Sequence, residues 1–178
     1  MQIEETKLKG CFVVKPNVFK DERGYFFESF NQKIFEEATG NKTFFVQDNQ
    51  SFSTYGTMRG LHFQQGEFAQ AKLVRAIQGA VLDVAVDLRK NSSTYGEHFS
   101  IELSAENFLQ LYIPRGFAHG FSVLSETAIF AFKCDNYYNK SSEGGIRFDD
   151  KTLNIDWQIP ADKIIVSEKD RLLPLFKA

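Results

Sequence analysis

The 178-residue chain is poor in residues that staple, punctuate or coordinate. Its two cysteines, Cys11 and Cys134, lie far apart and in no CxxC spacing. A disulfide framework or thiolate metal knuckle is therefore not expected, and both read as reduced core residues. The four prolines, at positions 16, 114, 160 and 174, mark no linker. With no internal repeat and no low-complexity tract, the expectation is one domain over residues 1–178. Residues 1–10 carry charges throughout and no apolar run, which argues against a cleaved secretion signal and a membrane span. The expected location is the cytoplasm, with no membrane partner. A formal net charge of -2 leaves no basic field to hold nucleic acid. There is no GxGxxG or Walker segment to cradle a phosphate.

Phenylalanine is abundant: nineteen residues in a chain that is 15% aromatic, a bias that favours strands over a helical bundle. Short candidate strands fall at residues 43–49, 57–63, 72–76, 80–87, 98–103, 108–113, 120–123 and 128–134. Turn residues stand between them, as at Gln78-Gly79 and Asn91-Ser92-Ser93. Spacings near ten residues suggest a sandwich or barrel, hence an all-β class. Along residues 80–88 the alternation is clear: Leu82, Val84, Val86 and Leu88 share one face, and Val81, Asp83, Ala85 and Asp87 the other. An acidic residue on a barrel's inner face is either solvated or part of a site. One helix is expected over residues 32–38, capped by Asn31 and ended by Gly40. The tail after Lys151, anchored by Trp157, should wrap the barrel as loops and short helical turns.

Only three histidines occur, at positions 62, 98 and 119. Metal-binding barrels usually need two close His on one strand plus a carboxylate, and His62 has no such neighbour, so no metal is expected. In an extended segment Leu61 and Phe63 point away from His62, toward the other face. A lone strand histidine is more often a hydrogen-bonded core residue than a catalyst, so spacing alone leaves its role open. Arg59 and Lys72 sit in otherwise apolar strands, and cations in a pocket suit a diphosphate. In Pro114-Arg115-Gly116-Phe117-Ala118-His119-Gly120-Phe121 a tight bend is expected. There His119 is either a turn residue bonded to backbone or a ligand contact at the barrel mouth.

The chain resembles the dTDP-4-dehydrorhamnose 3,5-epimerase family of cupin-fold nucleotide-sugar epimerases. The matching stretches are Phe19-Lys20-Asp21-Glu22-Arg23-Gly24-Tyr25-Phe26, Gln47-Asp48-Asn49-Gln50-Ser51, Arg59-Gly60-Leu61-His62-Phe63-Gln64, Asp83-Val84-Ala85-Val86-Asp87-Leu88-Arg89, the Pro114 to Phe121 segment, and Asp150 with Trp157. They run in family order over nearly the whole chain. The resemblance implies a cupin-type jelly-roll barrel with a few short helices, a homodimer, no metal and no cofactor. It implies epimerisation of dTDP-4-dehydro-6-deoxy-D-glucose at C3 and C5, a step of dTDP-rhamnose biosynthesis. By the same resemblance His62 is the base, Lys72 lies near the keto oxygen, and Asp170 orients His62, with Asp83 a second candidate. Arg23, Phe26, Glu28, Gln47, Asn49, Arg59, His119, Glu143 and Lys169 match nucleotide or sugar contacts. Tyr138 matches the ring that stacks on thymine.

That chemistry suits these residues. A C–H beside a ketone is weakly acidic, and a positioned His base contributes roughly 10²–10⁴-fold. The enolate oxygen needs a fixed cation, whose loss typically costs about 3–4 kcal/mol. A carboxylate on the far nitrogen fixes the His tautomer. The family returns the proton from a Tyr, and the corresponding residue here is Phe132, which has no proton to give. Three explanations stand open: a water or a hydroxyl such as Tyr137 acts instead, only C3 is inverted, or the chain is a slow variant. A 4-keto sugar ketoisomerase and a non-catalytic nucleotide-sugar binder are the competing functions.

Overall fold

The computed structural model describes residues 1–177. Four short strands open the chain: β1 Gln2–Glu5, β2 Phe12–Lys15, β3 Val18–Asp21 and β4 Gly24–Phe27. Helix α1 (Gln32–Thr39) follows, then β5 Gln47–Thr54, β6 Thr57–Gln64, β7 Lys72–Gln78, β8 Ala80–Asp87 and β9 His98–Ser104. The second half holds β10 Gln110–Ile113, β11 Phe117–Val123, β12 Thr127–Cys134, β13 Glu143–Gly145, β14 Ile165–Val166 and the short helix α2 (Glu168–Arg171).

Two sheets form the barrel. One has the order β1-β2-β10-β7-β12-β5, and the other runs β13-β6-β11-β8-β9 with β14 alongside β6. Except for the β14–β6 contact, the pairing in both is antiparallel. The alternation read along β8 is realised on both faces. Val81 and Ala85 join Val74, Phe121 and Phe130 in the core between the sheets. Leu82, Val84 and Val86 face outward beside Met58, Leu61 and Ala118 of the same sheet, and Leu153 and Trp157 of the tail cover them.

Each sheet's outer face has its own cover. The C-terminal tail lies over the β6–β11–β8 side, where Ser122 Oγ of β11 donates to the Trp157 carbonyl at 2.8 Å; within the segment after β13, Trp157 Nε1 donates to the Phe148 carbonyl at 2.7 Å. Helix α1 covers the other sheet, with Phe35 fully buried against Tyr112. Its ends are those expected: Asn31 accepts from the Ile34 amide, and Gly40 ends the helix at φ 70°.

Several boundaries differ from expectation. The strand expected from residue 43 begins only at Gln47, because Thr43 bonds the Tyr112 hydroxyl and Phe45 packs in the cluster of Phe35, so only Val46 meets β12, through one bond from its amide to the Cys134 carbonyl. Phe108 takes φ 58°, so β10 starts two residues later. The bend after Ile113 is confined to Pro114–Gly116, so His119 is a strand residue of β11 and not a turn residue. The four N-terminal strands carry no periodic signal long enough to read. Strands β3 and β4 form a separate two-stranded hairpin, with Phe19 and Phe26 exposed.

Candidate active site

A cleft of about 860 Å³ opens between the two sheets. From the β6–β11 side, Arg59, His62 and His119 point into it. From the other sheet come Asn49, Ser51, Lys72 and Phe132, and the tail adds Ser167, Lys169 and Asp170. A side recess of about 340 Å³ shares His62, Lys72, Asn49 and Phe132 with the cleft and adds Gln47, Tyr138 and Glu143.

Arg59 and His62 are three residues apart, so a regular strand would place them on opposite faces. A bulge in β6 brings them to the same face: His62 pairs with His119, yet Arg59 pairs with Phe121, leaving one extra residue on the β6 side. Gly60 permits it. Its φ is +108°, and a Cβ there would stand 2.5 Å from the His119 carbonyl and 2.7 Å from Gly120 Cα.

The bulge also prepares the carboxylate. His62 Nε2 lies 2.7 Å from Asp170 Oδ1, and the Gly60 amide donates to Oδ2 at 3.4 Å. Asp170 is itself held by the N-cap of α2, its amide donating to Ser167 Oγ at 3.1 Å. Burial works to raise the Asp170 pKa. The hydrogen bond and charge of His62, with smaller help from Gly60 and Ser167, more than offset it and hold the carboxyl below its ordinary value. A negative Asp170 fixes which ring nitrogen of His62 is left facing the cleft.

His119 repeats the arrangement next door. Its Nε2 lies 2.7 Å from Asp83 Oδ1, so Asp83 orients His119 and not His62, contrary to the second candidacy given it from the sequence. Asp83 is fully buried, and its Oδ2 has no partner among the described residues. Lys72 stands 5.7 Å from the centroid of the Phe132 ring. Burial lowers its ammonium pKa, which the nearby Cys134, Asp83 and Glu143 partly restore. Among the described residues neither Arg59 nor Lys72 is ion-paired, although Arg59 Nε donates to Ser53 Oγ at 3.1 Å. Two unpaired cations in one cleft leave room for an anionic ligand.

At the recess, Glu143 joins two other expected residues. Lys169 Nζ donates to its Oε1 at 2.6 Å, and the Tyr138 hydroxyl donates to its Oε2 at 3.2 Å. Burial pushes the Glu143 pKa up, but Lys169 and Tyr138 bring it below the ordinary value. Gln47 accepts from the Tyr138 amide at 3.1 Å and donates to Asn49 at 3.2 Å.

The chain's similarity to known proteins agrees with this geometry. Residues 5–178 match the family model described as dTDP-4-dehydrorhamnose 3,5-epimerase. The chain belongs to that family. A dTDP-4-dehydrorhamnose 3,5-epimerase of Shigella flexneri is 53% identical over 170 residues, 96% of this chain and 93% of that protein. The crystal structure of the enzyme of that name from Elizabethkingia anophelis superposes with a TM-score of 0.96 at 60% identity, covering 99% of this chain and 96% of that one. A dTDP-6-deoxy-D-glucose-3,5-epimerase from Legionella pneumophila, solved in complex with dTDP-4-keto-L-rhamnose, gives 0.91 at 43% identity with 99% of each chain covered. The all-β, cupin-type jelly-roll class is that of the family.

Of the expected site residues, Asn49, Arg59, His62, Lys72, His119, Phe132, Lys169 and Asp170 line the cleft, and Gln47, Tyr138 and Glu143 line its recess. Arg23, Phe26 and Glu28 do not. Arg23 is exposed on the β3–β4 hairpin and bonds Asp21 at 2.6 Å, Phe26 is 72% exposed, and Glu28 lies just beyond the hairpin. Tyr137, considered as a source of the returning proton, is 64% exposed and lines neither space. Sequence reading missed Ser51, Ser53 and Ser167. The first two continue the inward row Gln47, Asn49, Ser51, Ser53 of β5, a period-two polar pattern that was there to be read.

Proposed function

We propose that this chain epimerises dTDP-4-dehydro-6-deoxy-D-glucose at C3 and C5, giving dTDP-4-dehydro-L-rhamnose for dTDP-rhamnose biosynthesis. The observation that carries the reading is His62, backed by Asp170 at 2.7 Å, in a cleft whose other wall holds Lys72. His62 takes the proton from the carbon beside the ketone, and Asp170 stabilises the imidazolium that forms. Lys72 meets the charge that develops on the keto oxygen. Arg59 and His119 receive the diphosphate, and Tyr138 stacks on the thymine, with Gln47, Asn49, Glu143 and Lys169 bonding nucleotide or sugar. We place the reaction in the cytoplasm.

Arg23, Phe26 and Glu28 complete the site in a homodimer. The β3–β4 hairpin pairs with neither sheet and leaves Phe19 and Phe26 exposed, although Tyr25 and Phe27 pack on Phe108 of its own chain; that exposed aromatic edge supports its reaching the cleft of a second copy. Phe132 favours a second reading, inversion at C3 alone, because its ring puts no hydroxyl into the cleft.

Incubation with dTDP-4-dehydro-6-deoxy-D-glucose in D₂O tests both. Deuterium at C3 and C5 is expected, and label at C3 alone supports the second reading. No label at either carbon removes the enzymatic claim. His62→Ala is expected to abolish exchange while dTDP affinity stays nearly unchanged. A large loss of dTDP binding in that variant means that the role of His62 is misassigned.

A further inference from the structure

Inversion at a carbon needs a base on one face of the sugar ring and an acid on the other. His62 belongs to β6, so a side chain acting as the acid comes from the opposite wall, built by β5, β7 and β12. The proton-bearing side chains with which this wall lines the cleft are the inward Asn49, Ser51, Ser53 and Lys72, with the outward-facing Gln50 and Thr54 touching only its edge. Amides and aliphatic hydroxyls hold their protons far too tightly near neutral pH, whereas an ammonium releases one near 10 even in water. Tyr138 sits in the recess with its hydroxyl proton directed to Glu143.

We propose that Lys72 is the acid that returns the proton on the face opposite His62, resting on the epimerase reading above. Its ammonium lies over the Phe132 ring, at the wall where the sugar's far face would rest. C3 and C5 both flank the keto carbon, so a donor placed at the carbonyl is near each. His62 takes the C–H proton, and the electron pair moves through the new C=C onto oxygen. The enolate then collapses: the C=O re-forms, a C–H bond forms on the opposite face, and an N–H bond of Lys72 breaks. His62 leaves as imidazolium and Lys72 as amine, and exchange with water resets both. Burial already lowers the ammonium pKa, which makes Lys72 a stronger acid than a solvated lysine.

Lys72→Arg separates the two roles, because guanidinium keeps the charge and scarcely gives up a proton. In D₂O this variant is expected to exchange substrate protons with retention through His62 while inverted product falls at least 100-fold. Phe132→Tyr in the same background is expected to restore inversion at least 10-fold by supplying a hydroxyl on that wall. Inversion unchanged in Lys72→Arg overturns the proposal. So does equal loss of exchange and inversion, which leaves Lys72 only as the enolate's partner. Should arginine not fit, Lys72→Ala with added primary amines serves: rescue of inversion that grows with the acidity of the ammonium supports the proposal. Absence of rescue in protein that still binds dTDP overturns it. Wild-type protein that exchanges no proton at all would instead refute the epimerase reading itself.

Discussion

His62 and His119 face each other across β6 and β11, each with a carboxylate 2.7 Å from its Nε2. Their surroundings separate them. His119 is buried against the Phe130 ring, whereas the His62 side chain keeps 30% of its surface open to the cleft. Only the second can meet a C–H in the middle of a sugar ring. Asp170→Asn should therefore lower turnover about 10²-fold or more with little change in dTDP affinity, as steady-state rates and calorimetry would show. The same pair sets an acid limit. The folded Asp170 pKa is depressed below its ordinary 3.8, so its contribution to stability is complete above that value and fades as pH falls through the lower, folded one. Urea unfolding of wild type and Asp170→Asn should show their difference shrinking below about pH 4.

At the scale of elements, the bulge in β6 and the helix on the opposite sheet make different demands. Gly60→Ala would press a methyl against the His119 carbonyl at a φ of +108°. We expect it to cost a few kcal/mol, about 2–4, and to reduce turnover by misplacing His62, seen as a lower midpoint in denaturant together with a lower kcat. Phe35→Ala empties a fully buried site under α1, on the opposite face of the sheet from the cleft. It should cost about 3–5 kcal/mol in denaturant unfolding while kcat of the folded protein holds. A loss of kcat at temperatures where the variant is folded would mean that α1 positions the cleft after all.

At the scale of the whole molecule the question is how the proposed site is completed. In one chain Arg23 is tied to Asp21 on an exposed hairpin and lines neither the cleft nor its recess. If a second copy receives it, sedimentation should give twice the 20.4 kDa chain mass, and Arg23→Ala should weaken dTDP binding about tenfold by calorimetry without shifting the unfolding midpoint. A monomer that binds dTDP with full affinity would count against the hairpin's role. The tail acts at the same scale: it brings Asp170 within reach of His62 although 108 positions separate them.

Much of this was legible in the residues themselves. The period-two alternation of residues 80–88 set strand β8 and both of its faces: one row is wholly apolar, and the other mixes Val81 and Ala85 with the buried Asp83 and Asp87. Asn31 and Gly40 bounded the helix through local hydrogen bonds and a positive φ, which need no tertiary partner. The ordered motifs from Phe19 to Trp157 carried the family, and Phe132 the question of the returning proton. What tertiary structure alone decided was pairing. Alternation puts Gly60 on the face of His62, and only the bulge brings Arg59 there in its place. Two histidines and two candidate carboxylates could be matched in more than one way until the fold joined Asp170 to His62 and Asp83 to His119. Such contacts join residues far apart along the chain, and their geometry comes from how the sheets and tail close around the cleft, which no local pattern encodes.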